Sequence, residues 1–468
     1  MNKSCVVLSF VLVLAVLALS HEPALAQAAL DVQKGGEDRD VLEGGKFAGQ
    51  EKLTLPGVFL GGGLTVLDPE SGTARTFTRL RLRSEFAIWQ LAVGVKLNLA
   101  FDDDFNLRSE DWDEPSDWPG FIDYLEFGRP EELVYVRMGR LQNVRLGHGT
   151  LLNHYQSAID LDSQKVGLQA GLHLDSLGVD LLTSNVIEWE VIGGRAYVAP
   201  FGEAGGIILP DIRFTGQFVV DTLAPVVLFT DPFGQPLLDD DENFTFRGDP
   251  LVTFGLGAEV QLLKSPVSLV PYLEQNFISG KGSGTHAGAE LRFTLPVFGK
   301  IGLVAQGEFR ILDHHYLPSY FDAQYEIDRY RFPEKNSQET KRAYLDQVVA
   351  QTGYMFRAGV RVPFVEASLG FDGLTELEEQ NRLVVGVEVS GLPYLRLRIL
   401  YTRRGVHTAD EILTYDDQTT LVGEVLVQLN RFVFLDLEYS RTFELDETTR
   451  TYRPIDAYTP AVLIGWTF

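Results

Sequence analysis

Residues 90–102 read QLAVGVKLNLAFD, and this stretch decides the fold. Every second side chain from Leu91 to Phe101 is apolar, whereas those between them are mostly small or polar. A period of two residues is that of a β-strand with one apolar face. Similar alternation recurs at 251–263 and 382–390. Segments of about 9 to 13 residues are longer than the usual soluble strand and suit a tilted strand that crosses a membrane.

The polar faces of these segments separate a membrane barrel from a soluble β-sandwich. They carry charge and glycine, with residues that line up in pairs or longer rows: Arg79, Arg81, Arg83 and Glu85; Glu290 and Arg292; Glu308 and Arg310; Arg357 and Arg361; Arg396 and Arg398; Asp436 and Glu438. A cylinder that stands in lipid and holds water requires an apolar outside and a charged inside.

Alternating segments recur along almost the whole chain. Candidate strands lie near 56–66, 75–87, 89–101, 120–128, 133–146, 165–174, 177–187, 191–200, 211–221, 251–263, 267–279, 284–296, 301–312, 353–362, 364–373, 382–390, 394–404, 419–429, 432–443 and 458–468. If the N-terminus lies in the periplasm, every second connection is short and the others include the long ones, as in bacterial barrels with an even strand number. The sequence therefore predicts an all-β fold, a transmembrane antiparallel up-and-down β-barrel of about 20 strands, within a range of 18 to 22.

The N-terminus has the features of a secretory signal peptide. Lys3 precedes an apolar run from Val6 to Leu19, and the small-x-small sequence Ala24-Leu25-Ala26 follows. The run, about 14 residues, is too short to span a bilayer as a helix. We expect three segments: a signal peptide (1–26), a periplasmic N-terminal arm or small plug (27–55) and the barrel with its long acidic extracellular loops (56–468).

The final strand carries the most specific signal. Val462, Ile464, Trp466 and Phe468 share the apolar face, and the last residue is aromatic. This segment resembles the C-terminal targeting strand of bacterial outer-membrane β-barrel proteins. The resemblance implies recognition of the terminal Phe by the barrel insertion machinery and a place in the bacterial outer membrane, among lipid and lipopolysaccharide.

The formal charge of −25 is concentrated in the predicted loops, mainly in 102–117 and 239–242. Such a charge argues against a nucleic-acid partner. The acidic loops have two interpretations: they collect divalent cations that bridge to lipopolysaccharide, or they form a solvated rim, and the second is favoured because neither stretch has the spacing of a calcium loop.

Two interpretations are open for the charged inner face. The side chains either tune the selectivity of an aqueous pore or pair into a mesh of salt bridges that fills the barrel. The lumen-lining residues are predicted to be Arg79, Arg81, Arg83, Lys96, Glu259, Glu290, Arg292, Glu308, Arg310, Arg357, Arg361, Arg396 and Arg398. A short helix beginning at Asn336, with Glu339 as the second half of a capping box, either narrows the pore or covers it from outside.

Catalytic and metal sites are not indicated. Ser157, His154 and Asp160 are neighbours in one loop without a motif that fixes their geometry, and the adjacent pair His314-His315 offers only two metal ligands. We therefore expect no catalytic residue, no metal and no cofactor.

The leading hypothesis is a porin-like channel for diffusion of small polar solutes. The alternative is a structural or interaction barrel that anchors an envelope-spanning motility, secretion or adhesion complex through envelope protein partners. A transporter of long apolar substrates is disfavoured by the charged inner face.

Overall fold

The computed structural model describes residues 57–69, 73–108, 121–128, 132–161, 165–174, 176–201, 211–239, 243–263, 266–295, 301–330, 339–390, 392, 394–446 and 449–467. The expected signal peptide, the N-terminal arm and the terminal Phe468 lie outside these ranges, so those expectations stay predictions.

Twenty β-strands make up most of the described chain. They are β1 (Gly57–Pro69), β2 (Arg75–Ile88), β3 (Leu91–Phe101), β4 (Ile122–Phe127), β5 (Val134–Gly139), β6 (Gly167–His173), β7 (Leu177–Thr183), β8 (Val191–Val198), β9 (Asp211–Leu228), β10 (Phe246–Gln261), β11 (Val267–Ile278), β12 (Ser283–Leu295), β13 (Ile301–Leu312), β14 (Gln351–Val362), β15 (Val365–Leu374), β16 (Arg382–Val389), β17 (Leu395–Arg404), β18 (Thr419–Gln428), β19 (Val433–Asp446) and β20 (Thr451–Thr467).

The strands form one closed antiparallel barrel. Each strand pairs with its neighbour in sequence, from β1–β2 to β19–β20, and β1 also pairs with β20. This confirms the predicted fold class and strand number. The closing pair is unusually tight, since a Cβ at Gly63 would lie 2.2 Å from the carbonyl oxygen of Pro460. Glycine at this position therefore lets β1 and β20 meet.

The two faces of the wall differ as the sequence predicts. Val462, Ile464 and Trp466 are 46%, 60% and 63% exposed on the outside of β20. Arg81 and Asp436 point inward and are fully buried. An apolar exterior and a charged interior are the features of an outer-membrane β-barrel.

Two long connections fold into the barrel instead of extending away from it. We call the β5–β6 connection loop A (described over 140–161 and 165–166), the β13–β14 connection loop B (described over 313–330 and 339–350), and the two together the plug. Both connections leave the same end of the barrel, which we call the long-loop end; the opposite end, which holds connections such as Trp89-Gln90, is the short-turn end.

The predicted strand 133–146 is wrong in its second half. β5 ends at Gly139, and the chain then turns inward through Asn143, whose φ is 55°. Val144 and Leu146 keep the parity of Val134, Val136 and Met138, but together with Leu141 they are buried within the plug rather than facing lipid. Burial in the apolar interior of the plug selects the same residue types as lipid does, so the sequence pattern did not show where the strand ends.

Loop B contains the helices α1 (Tyr325–Asp328) and α2 (Lys341–Tyr344), followed by a 3₁₀ turn (Leu345–Gln347). Two more 3₁₀ turns lie outside loop B (Glu378–Gln380 and Ala409–Leu413). The predicted cap Asn336 lies outside the described residues, and the N-cap of α2 is Thr340, whose side chain accepts a hydrogen bond from Ala343 N. Tyr344, Leu345 and Val348 are buried, so this segment folds inward.

Strands β9 and β10 continue past the neighbouring strands as a projecting hairpin. The pairing of β8 with β9 stops at Val191–Asp221, and beyond that point no strand of the described residues pairs with this edge of β9. Loop B covers part of this edge: Arg329 donates to the carbonyl of Leu223 (3.0 Å) and Thr340 to that of Val226 (3.3 Å).

Among the described residues, no helix combines the length and the hydropathy that a bilayer-crossing helix requires.

Candidate functional site

The short-turn half of the lumen holds charged side chains that keep contact with solvent. The side chains of Asp180 and Arg213 are each 35% exposed on the inner face, and those of Arg292 and Arg361 are 28% and 26% exposed. All four point inward near short-turn strand ends, so ion-paired charges of both signs keep contact with solvent in this half of the barrel, which we call the vestibule.

The wall near the β1–β20 closure carries a mesh of ion pairs. Arg81 donates to Asp436 (2.5 Å) and Glu438 (2.8 Å), and Lys96 donates to Glu438 (2.5 Å). Arg83 contacts Glu85 (2.7 Å) and Glu424 (3.1 Å). These pairs span β1 and β20, whose inner faces carry glycine and alanine at this level, such as Gly63 and Ala461.

The same mesh accounts for a group of three acids that is compact enough for a metal ion. Oxygens of Glu424, Asp436 and Glu438 lie within 4.8 Å of one another. Because Arg81, Arg83 and Lys96 contact these carboxylates, their charge is already balanced by the protein. We assign no metal to this group.

The acids expected to face a basic track have basic partners of their own. Glu259 accepts from Arg195 (3.0 Å), Glu290 from Arg292, and Glu308 from Arg310 (2.5 Å). Opposed charges are therefore paired along the wall and are not separated across a constriction, because neighbouring inward positions bring the partners within reach.

The long-loop half of the lumen is filled by the plug. Tyr155 of loop A and Tyr316, Phe321, Tyr325 and Leu345 of loop B are essentially fully buried in one apolar cluster. The loops also share backbone pairing, with Asn153 N donating to Phe321 O at 3.0 Å. A barrel of this size is too wide for its wall side chains alone to fill, and the plug supplies the missing volume.

Polar contacts attach loop A to the wall. His148 contacts Glu274 through Nδ1 (2.7 Å), and its ring stacks on Tyr272 with ring centroids 3.7 Å apart. Thr150 donates to the same Glu274 (2.5 Å). Further along the loop, Arg357 of the wall donates to Asn153 (2.8 Å).

Ion pairs attach loop B to the wall and to loop A. Asp322 accepts from Arg382 of β16 (2.7 Å) and from Lys341 of α2 (2.8 Å). Burial opposes ionisation of Asp322, but Arg382 and Lys341 outweigh it and lower the pKa of this carboxyl. Asp328 is bonded to Arg404 of β17, and Glu326 accepts from Lys165 of loop A (2.7 Å).

A small cavity of about 30 Å³ lies where loop B meets the wall. Loop B contributes Ser319, Tyr320, Asp322 and Lys341 among its lining residues, and the wall contributes Arg310, Asp372 and Arg382. The lining thus carries three basic and two acidic side chains.

The predicted lumen residues all lie on inward-facing wall positions, but the structure does not gather them into one site. Arg79, Arg81, Arg83 and Lys96 belong to the region of the mesh, whereas Glu308, Arg310 and Arg357 lie against the plug. Arg292 and Arg361 line the vestibule. Arg396 and Arg398 lie on the inward face of β17, where the buried Arg398 stands opposite Glu424 of the mesh.

Sequence reasoning missed the residues that attach the plug, above all Asp322, Glu326 and Lys341. The density of aromatic residues between Tyr316 and Tyr330 was the available signal, since an exposed loop has no need for them.

The candidate triad considered in loop A does not assemble. Ser157 is bonded to the backbone of Leu141 and Lys165, His154 contacts Asn143, and Asp160 accepts from Tyr452. Burial, followed by nearby arginines such as Arg357, holds the pKa of His154 well below its usual range, so it is a neutral structural group.

No protein-family model matches the sequence, and no curated protein matches it either. Among solved structures, the chain is similar to OpdL of Pseudomonas aeruginosa (11% identity, 88% of this chain and 98% of that chain, TM-score 0.33). It is also similar to a BenF-like porin from Pseudomonas fluorescens Pf-5 (11%, 88% and 98%, TM-score 0.33) and to outer-membrane OmpT of Vibrio cholerae (10%, 87% and 97%, TM-score 0.26). Similarities this weak carry no information on solute or mechanism, so function has to be argued from the geometry.

Proposed function

We propose that the chain is a channel of the bacterial outer membrane for small polar solutes, narrowed by the plug on the extracellular side. The observation that carries this proposal is the solvent-exposed charge inside the vestibule, at Asp180, Arg213, Arg292 and Arg361. A barrel that served only as an anchor has no need of a wet, charged inner face.

The plug makes the two halves of the pathway different. Glu308 and Arg310, which lie against the plug, are 0% and 2% exposed in their side chains. Among the described residues, charged side chains of the short-turn half keep contact with solvent, while passage through the other half depends on movement of loop A or loop B.

Conductance in a planar bilayer tests the proposal. The wild-type protein is expected to show small or intermittent conductance, and the Asp322→Asn variant, which weakens the attachment of loop B, a larger or more frequent one. Inserted protein that stays at baseline in both forms contradicts a channel. The alternative of a structural or interaction barrel stays a hypothesis from the sequence, because no particular contact of the described residues favours it.

A further inference from the structure

The cavity between loop B and the wall has an unbalanced set of hydrogen-bond donors. The Nε atom of Arg382 and the Nε2 atom of Gln380 are buried and have no hydrogen-bond partner among the described residues, and both side chains line the cavity. A buried donor without an acceptor costs about 1 to 3 kcal/mol, so a ligand that supplies oxygen acceptors gains by entering.

The charge of the lining indicates the sign of that ligand. Arg310, Lys341 and Arg382 exceed Asp322 and Asp372 by one positive charge. Arg310 is engaged by Asp372 (2.8 Å), and Asp322 is shared by Arg382 (2.7 Å) and Lys341 (2.8 Å). The planar guanidinium of Arg382 presents its free Nε beside a terminal nitrogen, which is the arrangement that binds a carboxylate or phosphate through two parallel hydrogen bonds.

The cavity also lies at the contact between loop B and the barrel wall. Asp322 and Lys341 belong to loop B, whereas Arg382 belongs to β16. An anion that bonds Arg382 side-on competes with Asp322, the residue through which loop B holds this part of the wall.

We propose that this cavity is a binding site for a small oxyanion, which takes the place of Asp322 at Arg382 and thereby loosens loop B at this part of the wall. The binding is independent of the proposed function, whereas its consequence, an anion-dependent opening of the pathway, rests on it.

Binding is tested by isothermal titration of the folded full chain in detergent, with sodium acetate and sodium phosphate as separate probes at constant ionic strength. Saturable binding of at least one probe is expected, and the two arms distinguish a carboxylate from a phosphate site. Gln380→Ala removes one hydrogen-bond donor of the cavity and leaves the ion pairs in place. Arg382→Lys removes the two parallel donors of the guanidinium. Each variant is expected to weaken binding about tenfold or more. The matched control is Arg75→Gln, which removes an exposed cation paired with Glu444 outside the cavity.

Loosening of loop B is tested with one introduced cysteine, because the only native cysteine, Cys5, lies in the expected signal peptide. Ser319→Cys places a thiol in the buried lining, and Phe233→Cys, at a position 92% exposed, reports the reactivity of the reagent itself. The bound anion is expected to raise the labelling rate of the first thiol by a maleimide at least fivefold and leave the second unchanged.

Absence of saturable binding, or equal binding by the Gln380→Ala and Arg382→Lys variants, overturns the site. Binding without faster labelling overturns the loosening of loop B. Neither result depends on conductance, so failure of the channel proposal is seen separately.

Discussion

The Asp322→Asn substitution is the most direct probe of how loop B is held. Asp322 is buried and accepts charge-assisted hydrogen bonds from Arg382 at 2.7 Å and Lys341 at 2.8 Å. Each such bond contributes about 1.5 to 3 kcal/mol, and removing one partner of a buried ion pair costs about 3 to 5 kcal/mol. Because asparagine keeps one acceptor oxygen, we take the lower bound, about 3 kcal/mol, as the loss in docking free energy of loop B.

A loss of about 3 kcal/mol raises the population of the undocked loop about 100-fold. The labelling rate of Ser319→Cys follows this population as long as the loop opens and closes faster than the thiol reacts. The variant is therefore expected to label about 100 times faster than the parent, up to the limit set by a fully exposed thiol. Asp322 belongs to loop B and makes no contact between strands, so the barrel wall should keep its resistance to detergent at room temperature.

Asp346→Asn is the matched control. This acid lies in the same loop and pairs with Lys281, but its side chain is 64% exposed, and exposed pairs contribute at most about 1 kcal/mol. Its labelling rate should change less than fivefold. If Asp322→Asn and Asp346→Asn label alike in folded protein, the ion pairs at Asp322 do not hold the plug.

Three further predictions concern other parts of the barrel. Gly63→Ala is expected to reduce recovery of folded protein in the membrane fraction severalfold, because its Cβ would lie 2.2 Å from Pro460 O, whereas at Gly62 the nearest atom is 3.8 Å away; equal yields of Gly63→Ala and Gly62→Ala argue against a tight closure. Phe434→Ala removes a buried ring that packs edge-on against Phe59, with ring centroids 5.1 Å apart. It should lower the free energy of unfolding, measured by urea titration, by about 3 to 5 kcal/mol, and an unchanged urea midpoint would contradict this. Burial raises the pKa of Glu190 in the β7–β8 connection, but Lys165 and Arg329 outweigh it and hold the pKa at about 2. A carboxyl with a depressed pKa stabilises the folded form above its unfolded pKa, near 4.5, and this stabilisation is lost as the pH falls from there toward 2. In the Ser319→Cys protein, the contacts of loop B should therefore loosen over that window. The readout is labelling relative to the exposed Phe233→Cys at each pH, with a dipyridyl disulfide that still reacts with thiols in acid. Adding Glu190→Gln should flatten the pH profile of labelling, and parallel profiles for both proteins exclude Glu190 as the cause.

The wall could be predicted from sequence because one face of every strand meets lipid. Lipid rejects charge at each outward position, so β3 and β16 show a nearly unbroken period of two, and their predicted bounds differ from the structure by one or two residues. The predictions are poorest where a strand continues beyond the expected membrane span: β9 runs to Leu228 and β20 begins at Thr451, because pairing continues after the alternation is lost.

The plug could not be predicted in the same way. Its contacts join residues far apart in sequence, as in Asp322 with Arg382 or Lys165 with Glu326, and no local period records them. Inward charges also gave no indication of their partners, since Arg81 reaches Asp436 across two intervening strands.

The cover that loop B places over the edge of β9 sets a limit on how far the plug can move. Arg329 and Thr340 satisfy the carbonyls of Leu223 and Val226, and full departure of the loop would present a bare strand edge to neighbouring proteins. A channel built this way favours small displacements around the cavity over ejection of the loop. Loop B must move to open the pathway but must stay in place to protect the edge of β9 from aggregation. The need for protection therefore limits how far the loop can move.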